Sequence, residues 1–183
     1  MPHLVRLSPF PPLGEKGDNP MKVLSRLSIA FLMGLCSMSV HGETSAYPDE
    51  VMNRVTTLKA LAEQKKEMPP SLPGITLVST GEAREIWKWK RAIFLDTRTK
   101  AQYDAEKIAG AEWFLSDELL KNPEAAGRLD KGKEYVLYCN GDRCWRAAGV
   151  ALMLDHLGFK KILWYREGLP GWKKENVPTE KVK

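Results

Sequence analysis

Short apolar runs alternate with segments of helical periodicity along the chain after residue 74. The apolar runs have the length of buried strands, and the segments between them have the length of short helices. This alternation predicts an α/β domain with a central, mainly parallel β-sheet of about five strands flanked by helices. The predicted strands cover 75–78, 92–96, 108–114, 135–138 and 162–165, and the main helices cover 79–87, 100–107, 116–120 and 145–157.

A further helix is predicted upstream of this domain, over 49–66, with apolar side chains spaced along one side. Its Lys- and Glu-rich flank is typical of a surface helix, which either packs on the domain or serves as a tether. A run rich in proline follows at 68–74 and predicts a boundary. We therefore divide the chain into a leader helix with its linker at 43–74, a domain at 75–178 and a tail at 179–183.

Residues 1–42 have the pattern of an upstream extension followed by a secretory signal peptide. Lys22 and Arg26 form a positive segment, an apolar run of 14 residues follows at 27–40, and Gly42 offers a small residue for cleavage. Met21 is the expected start of translation. We predict an exported protein, periplasmic after cleavage near Gly42; an uncleaved membrane anchor is the alternative.

The net charge and the number of cysteines argue against a nucleic-acid partner and against a zinc site. The net charge of +5 is scattered, and no basic stripe interleaved with aromatic side chains predicts a nucleic-acid partner. Beyond residue 42 the cysteines are Cys139 and Cys144, which are too few for a zinc site, and His156 lies far along the chain from both. We expect neither a metal nor a cofactor. An oxidising compartment would permit a disulfide between the two cysteines.

The segment around Cys139 carries the strongest chemical signal. The predicted strand 135–138 delivers Cys139 into a short polar loop, and the helix 145–157 follows at once. Such a junction directs loop N–H groups and the positive end of a helix at one sulfur, which favours a thiolate and binds anions. Cys139 is therefore the candidate nucleophile; the alternative is a small buried apolar residue.

The loop after Cys139 supplies candidate binding groups. Asn140 and Gly141 offer backbone N–H groups, and Gly141 also permits a tight turn. Arg143 and Arg146 add positive charge that would attract a small anionic substrate. These four residues are the predicted substrate-binding set.

Four blocks of the sequence resemble the rhodanese family, in the family's order, over about 75–178. Each block is a weak signal alone, but four in register favour the rhodanese fold, and they place Asp96 and Arg98 as a structural ion pair. The blocks are Phe94-Leu95-Asp96-Thr97-Arg98, Tyr103 with Ile108-Ala109-Gly110-Ala111, Val136-Leu137-Tyr138-Cys139, and Leu157-Gly158-Phe159 with Trp164-Tyr165, Gly168 and Trp172.

The resemblance implies a sulfurtransferase that moves sulfane sulfur from a thiosulfate-like donor to a thiol or cyanide acceptor through a Cys139 persulfide. The chain departs from the family pattern at Lys107, where a histidine is usual, and at Glu167-Gly168, which replaces a Gly-Gly pair. Its loop is also two residues longer when aligned from Gly158. That alignment makes Arg146, rather than Arg143, the family's arginine.

Cys144 followed by Trp145 resembles a secreted subset of the family and leaves several roles open. Cys144 is a candidate resolving cysteine, a disulfide partner that would switch sulfur transfer off, or a packing residue at the start of the helix. A thiol–disulfide redox protein using both cysteines and a non-catalytic binding module therefore remain alternatives, and a periplasmic protein partner is not identifiable from the sequence. A Cys-based phosphatase needs five residues between Cys and Arg, whereas Cys139 is separated by three from Arg143 and by six from Arg146.

We predict that the mature protein begins just after Gly42, because the charged segment, the apolar run and the small residue before Glu43 form a cleavable export signal. Intact-mass analysis of protein purified from its native host tests this prediction. A mature mass that still includes residues 27–40 would contradict it.

Overall fold

Five parallel strands form the central sheet of the structure, a computed structural model that describes residues 45–182. The strands are β1 (Thr76–Val78), β2 (Ile93–Asp96), β4 (Glu112–Trp113), β5 (Tyr135–Tyr138) and β6 (Ile162–Tyr165), in the spatial order β1-β6-β5-β2-β4. This confirms the predicted α/β class and its sheet. The predicted signal peptide lies outside the described residues. Within them, no helix is long and apolar enough to span a membrane.

Six α-helices surround the sheet within residues 45–182, and their positions follow the sequence pattern closely. They are α1 (Asp49–Glu63), α2 (Thr80–Lys88), α3 (Lys100–Ala105), α4 (Ser116–Lys121), α5 (Trp145–His156) and α6 (Gly168–Lys174), and a 3-10 helix covers Pro123–Arg128. Helix α1 ends three residues before the predicted 66, since Lys65 has a φ of 56°. Helix α5 ends as predicted before Gly158, whose φ is 89°.

The central strand β5 contributes to a separate core on each face of the sheet. Tyr135 and Leu137 belong to the cluster beneath α1 and α5, whereas Val136 and Tyr138 belong to the cluster beneath α2 and α6. This alternation follows from the two-residue period of a strand. Because both faces are covered by helices, all four residues are buried, and the strand reads as one continuous apolar run.

Helix α5 is buried almost all round because a second helix covers the side that does not face the sheet. Residues 147–154 are all buried, and α1 packs on α5 through a face that includes Val55 and Leu58. A helix that is apolar on all sides requires such double coverage. The leader helix is thus packed on the domain, and the residues from Ser45 onwards belong to one compact unit.

The tail forms a strand that the sequence pattern did not predict. Strand β7 (Thr179–Glu180) pairs antiparallel with β3 (Lys107–Ile108). The buried Lys107 ammonium donates to a Glu180 carboxylate oxygen at 2.5 Å and to the Ala111 carbonyl at 2.8 Å. Lys107, which stands where the resembled family usually has histidine, therefore holds the tail against the domain.

The turn after β6 crosses the backbone of the Cys139 loop at close range. Gly168 has a φ of 58°, and a Cβ at this position would clash with the carbonyl oxygen of Cys139. The next residue, Leu169, donates its N–H to that same oxygen at 3.0 Å. Glycine is required at this crossing, and the Glu167 that precedes it tolerates a side chain because its φ of −66° is ordinary.

We predict that Gly168→Ala destabilises the protein by roughly 2–4 kcal/mol, because the added methyl group meets backbone and the φ is left-handed. Gly81→Ala is the matched control: no atom lies within 4 Å of the place its new methyl group would take, and in helix α2 alanine should be neutral or slightly stabilising. Urea unfolding of both variants measures the difference. Equal stability of the two variants would contradict the proposed role of the crossing.

Candidate active site

Cys139 lies at the carboxyl end of the central strand β5, where parallel sheets place their sites. Thr97 holds Tyr138, the residue before Cys139, in place. The N–H and hydroxyl of Thr97 donate to the Tyr138 carbonyl at 3.1 Å and 2.9 Å. Only 2 % of the Cys139 surface is exposed. Cys139 therefore lies at the end of a strand, as the sequence pattern predicted. It is more deeply buried than is usual for a residue in a loop.

The loop from Cys139 to α5 is a tight turn fixed by backbone hydrogen bonds. Gly141 has a φ of 97°, and its carbonyl accepts the Cys144 N–H at 3.0 Å. Cys144 then occupies the N-cap position of α5 with an extended backbone, and its side chain makes no capping hydrogen bond. The turn brings the second cysteine back over the first, although four residues separate them in the sequence.

The Cys144 backbone lies directly against the Cys139 thiol. The Cys139 S–H donates to the Cys144 backbone carbonyl at 3.3 Å. Both cysteines are free thiols in this structure. The side chain of each cysteine shifts the pKa of the other, and the N–H groups of Asn140 in the loop and of Arg146 and Ala147 at the start of α5 favour negative charge on the pair.

The pKa values of the two thiols move in opposite directions. Burial raises the pKa of the Cys139 thiol well above its usual range, and the neighbouring Cys144 raises it further. The neighbouring Cys139 lowers the pKa of Cys144 to about 7, with help from the N–H groups of Asn140 and Arg146. Cys144 therefore joins Cys139 as a candidate thiolate at neutral pH.

The two arginines of the predicted binding set have different surroundings. The Arg146 guanidinium donates to the Ser116 hydroxyl at 2.6 Å and also to the Asp117 carboxylate, and its charge helps to lower the pKa of Cys144. Arg143 is exposed, as is the side chain of Asn140. Of the two, Arg146 is the one that the fold holds beside the thiol pair.

A buried ionic network supports the strands on the other face of the sheet. The guanidinium of Arg98 forms an ion pair with Asp96 at 2.6 Å, as predicted, and both side chains are almost fully buried. The Tyr138 hydroxyl donates to Asp96 at 2.8 Å and accepts the Ile108 N–H at 3.1 Å. Burial and the nearby Asp96 raise the pKa of Tyr138, so it stays a neutral donor just before Cys139.

Sequence reasoning missed the contribution of the linker to the site. The Met68 N–H donates to the Asp142 carbonyl at 2.6 Å, and Arg166 donates to the Met68 carbonyl at 2.9 Å and to Glu67 at 3.0 Å. Asp142, whose carboxylate opposes an anion, thereby has a structural role through its backbone. The Pro-rich composition around Met68 indicated only a boundary, since backbone hydrogen bonds leave no signal in the side-chain pattern.

A wide groove in the domain is separate from the cysteines. It has a volume of about 1020 Å³ and lies at the amino ends of the strands, between Trp87, Ile93 and Gly132, at the opposite end of the sheet from Cys139. Across residues 45–182, no group of three or more His, Cys, Asp or Glu side chains is placed to hold a metal ion.

A parallel α/β sheet with a cysteine loop at the end of its central strand defines a class of thiol-bearing domains, and comparison with known proteins identifies the class. The family model of the rhodanese-like domain matches residues 79–175. The chain belongs to the rhodanese-like family.

Individual relatives agree with this assignment. The uncharacterized protein YibN of Escherichia coli strain K12 is 28% identical over 132 residues, covering 70% of this chain and 82% of YibN. Two solved structures share the fold. The BH2092 protein from Bacillus halodurans has a TM-score of 0.52 and 23% identity, with 74% and 87% of the two chains covered. The rhodanese-like domain of the Alr3790 protein from Anabaena has a TM-score of 0.50 and 24% identity, with 63% and 81% covered.

We predict that alkylation of Cys144 by iodoacetamide rises with pH around a midpoint near 7, because the thiolate is the reactive form. Cys139→Ala removes the S–H donor that lowers this pKa most, so the midpoint should move up toward about 8.5, the value of a free cysteine. Rates at a series of pH values, followed by mass spectrometry of the Cys144 peptide, measure both midpoints. An unchanged midpoint in Cys139→Ala would show that the two thiols are not coupled.

Proposed function

We propose that the protein is a sulfurtransferase that moves sulfane sulfur from a thiosulfate-like donor to a thiol or cyanide acceptor through a persulfide on Cys139. Membership of the rhodanese-like family supports the reaction class. The observation that carries the proposal is the cysteine pair after the carboxyl end of β5, where the Cys139 thiol lies 3.3 Å from the Cys144 carbonyl oxygen. We further propose that the protein works after export, in an oxidising compartment that permits cysteine redox chemistry.

The first half of the reaction begins when Cys139 loses the proton of its S–H to solvent, because the thiolate is the nucleophile. The N–H groups of Asn140 and Ala147 lower the pKa of Cys139 and so favour this step. The Cys139 thiolate then attacks the outer sulfur of thiosulfate. The sulfur–sulfur bond of thiosulfate breaks, sulfite leaves with the electron pair, and the Cys139 persulfide remains.

The surroundings of Cys139 suit the persulfide anion. The N–H groups of Asn140 and Ala147 already donate to the Cys139 sulfur, and Ala147 lies in the first turn of α5, where the helix dipole favours negative charge. An acceptor completes the cycle by attacking the outer sulfur. Cyanide leaves as thiocyanate, and Cys139 returns to the pair as the thiolate.

Two alternatives make different predictions about the same thiols. Direct contact between Cys139 and Cys144 also favours a thiol–disulfide redox protein, which would show a measurable dithiol potential without persulfide turnover. The burial of Cys139, with 2 % of its surface exposed, favours a non-catalytic binding module, which would show neither activity. Rapid cyanolysis of a persulfide distinguishes the sulfurtransferase from both.

We expect Cys139→Ser to abolish transfer of sulfur from thiosulfate to cyanide, because a serine hydroxyl is far less acidic than a thiol and forms no persulfide. Thiocyanate production by wild type and variant measures this, with circular dichroism to show that the variant is folded. Equal rates in the two proteins would reject Cys139 as the nucleophile. Activity in neither would reject thiosulfate as the donor and favour the binding module.

We expect Arg146→Ala to raise the KM for thiosulfate by on the order of ten-fold, the effect of losing a charge-assisted contact of roughly 1.5–3 kcal/mol. Arg143→Ala, the matched control from the same loop, should change KM by less than about two-fold because its side chain is exposed. Steady-state kinetics over a range of thiosulfate concentrations separate KM from kcat. A larger effect of Arg143→Ala would show that Arg143 is the donor-binding arginine.

A further inference from the structure

Cys144 is placed to react with whatever forms on Cys139. The Gly141 turn folds the second cysteine onto the first, so that the Cys144 carbonyl accepts the Cys139 S–H at 3.3 Å. The two residues also differ in exposure: Cys139 is buried, whereas Cys144 is partly exposed. A packing residue at the start of α5 would require neither this contact with the Cys139 sulfur nor the exposure that leaves Cys144 open to solvent.

We propose that Cys144 attacks the Cys139 persulfide at its inner sulfur and expels hydrosulfide, which makes the protein a reductive sulfur-releasing enzyme that a dithiol regenerates. This inference rests on the sulfurtransferase function proposed above and names the group that reduces the persulfide. That group is the second cysteine of the same loop, and the final product is sulfide.

The step balances with one proton from water, which the persulfide anion takes up first. The Cys144 thiolate forms a bond to the Cys139 sulfur, and the bond between that sulfur and the sulfane sulfur breaks. The sulfane sulfur leaves with the electron pair as hydrosulfide. It is thereby reduced by two electrons, and the two cysteines are oxidised to a disulfide. A dithiol then reduces the disulfide through a mixed disulfide, and the dithiol becomes oxidised in turn.

The surroundings of the thiols favour attack at the inner sulfur. The atom that Cys144 contacts is the Cys139 sulfur itself, which becomes the inner sulfur once the persulfide has formed. Attack on the outer sulfur would require Cys144 to reach beyond the Cys139 sulfur, which its own carbonyl already contacts at 3.3 Å. Hydrosulfide is small and well solvated, so it is a good leaving group for attack at the inner sulfur.

The difference in exposure also fixes where the regenerating dithiol acts. Cys139 is covered on all sides, with 2 % of its surface exposed, so an external thiolate reaches the disulfide at the partly exposed Cys144. The mixed disulfide therefore forms on Cys144, and Cys139 is released as a thiolate. The N–H groups of Asn140 and Ala147 stabilise that thiolate.

The test is a single turnover without added thiol. Wild type and Cys144→Ala are loaded with sulfur from thiosulfate and, in parallel, from inorganic polysulfide, and are then desalted. Wild type should release one sulfide per loaded chain and lose both free thiols. Cys144→Ala should keep the added sulfur on Cys139 at least about ten-fold longer, because an intramolecular thiol acts at a high effective concentration. Cys144→Ser serves as a second variant if the alanine variant does not fold.

Trypsin gives a readout on wild type that depends on no variant. It cleaves after Lys133, Arg143 and Arg146, so Cys139 and Cys144 fall in different peptides. After sulfide release the two peptides should run as one species joined by a disulfide, and dithiothreitol should separate them and restore sulfur loading. Free peptides after sulfide release would overturn the inference.

The outcomes separate this inference from the proposed function. If the persulfides of wild type and Cys144→Ala are both labile to cyanide and persist equally long, the release step is overturned. The proposed sulfurtransferase function would still stand. Absence of sulfur on Cys139 in both proteins, from thiosulfate and from polysulfide, would overturn both. Sulfide release by wild type at the same rate as by Cys144→Ala would show that Cys144 takes no part.

Discussion

The site depends on the place where two backbones cross. The turn after β6 lies so close to the Cys139 loop that only glycine fits at Gly168, and Leu169 donates its N–H to the Cys139 carbonyl. This contact fixes the direction of the chain as it leaves β5. Gly141 is held from the same side, since a Cβ at that position would lie 3.4 Å from the Glu167 carbonyl. The loop then has little freedom other than to bring Cys144 back over Cys139.

The other side of the same loop is fixed by a segment that precedes the family's domain. The family model begins at residue 79, yet Met68 donates its N–H to the Asp142 carbonyl, and Arg166 holds Met68 in turn. Helix α1 completes the arrangement by covering α5, the helix that begins at the second cysteine. The leader is therefore part of the framework that holds the thiols, and a chain trimmed to 79–175 would lose one wall of it.

Two sulfurs held in this framework influence each other's acidity. Burial raises the pKa of Cys139, whereas the neighbouring Cys139 and the N–H groups of Asn140 and Arg146 lower the pKa of Cys144. In the proposed cycle the two cysteines act as nucleophiles at different stages. The same contact thus suits both the capture of sulfur on Cys139 and its displacement by Cys144.

The sequence by itself determined the fold class, most of the helices and strands, and the place of Cys139, because these depend on local periodicity and on residues close together in the chain. Strand β5 and the end of α5 at Gly158 are examples. The tertiary structure alone decided that the pKa values of the two cysteines move in opposite directions, since burial and neighbouring groups belong to no single residue. It also decided the strand formed by the tail and the role of Met68, because both arise from hydrogen bonds between backbone segments that are distant in the chain, and such bonds do not depend on side-chain identity.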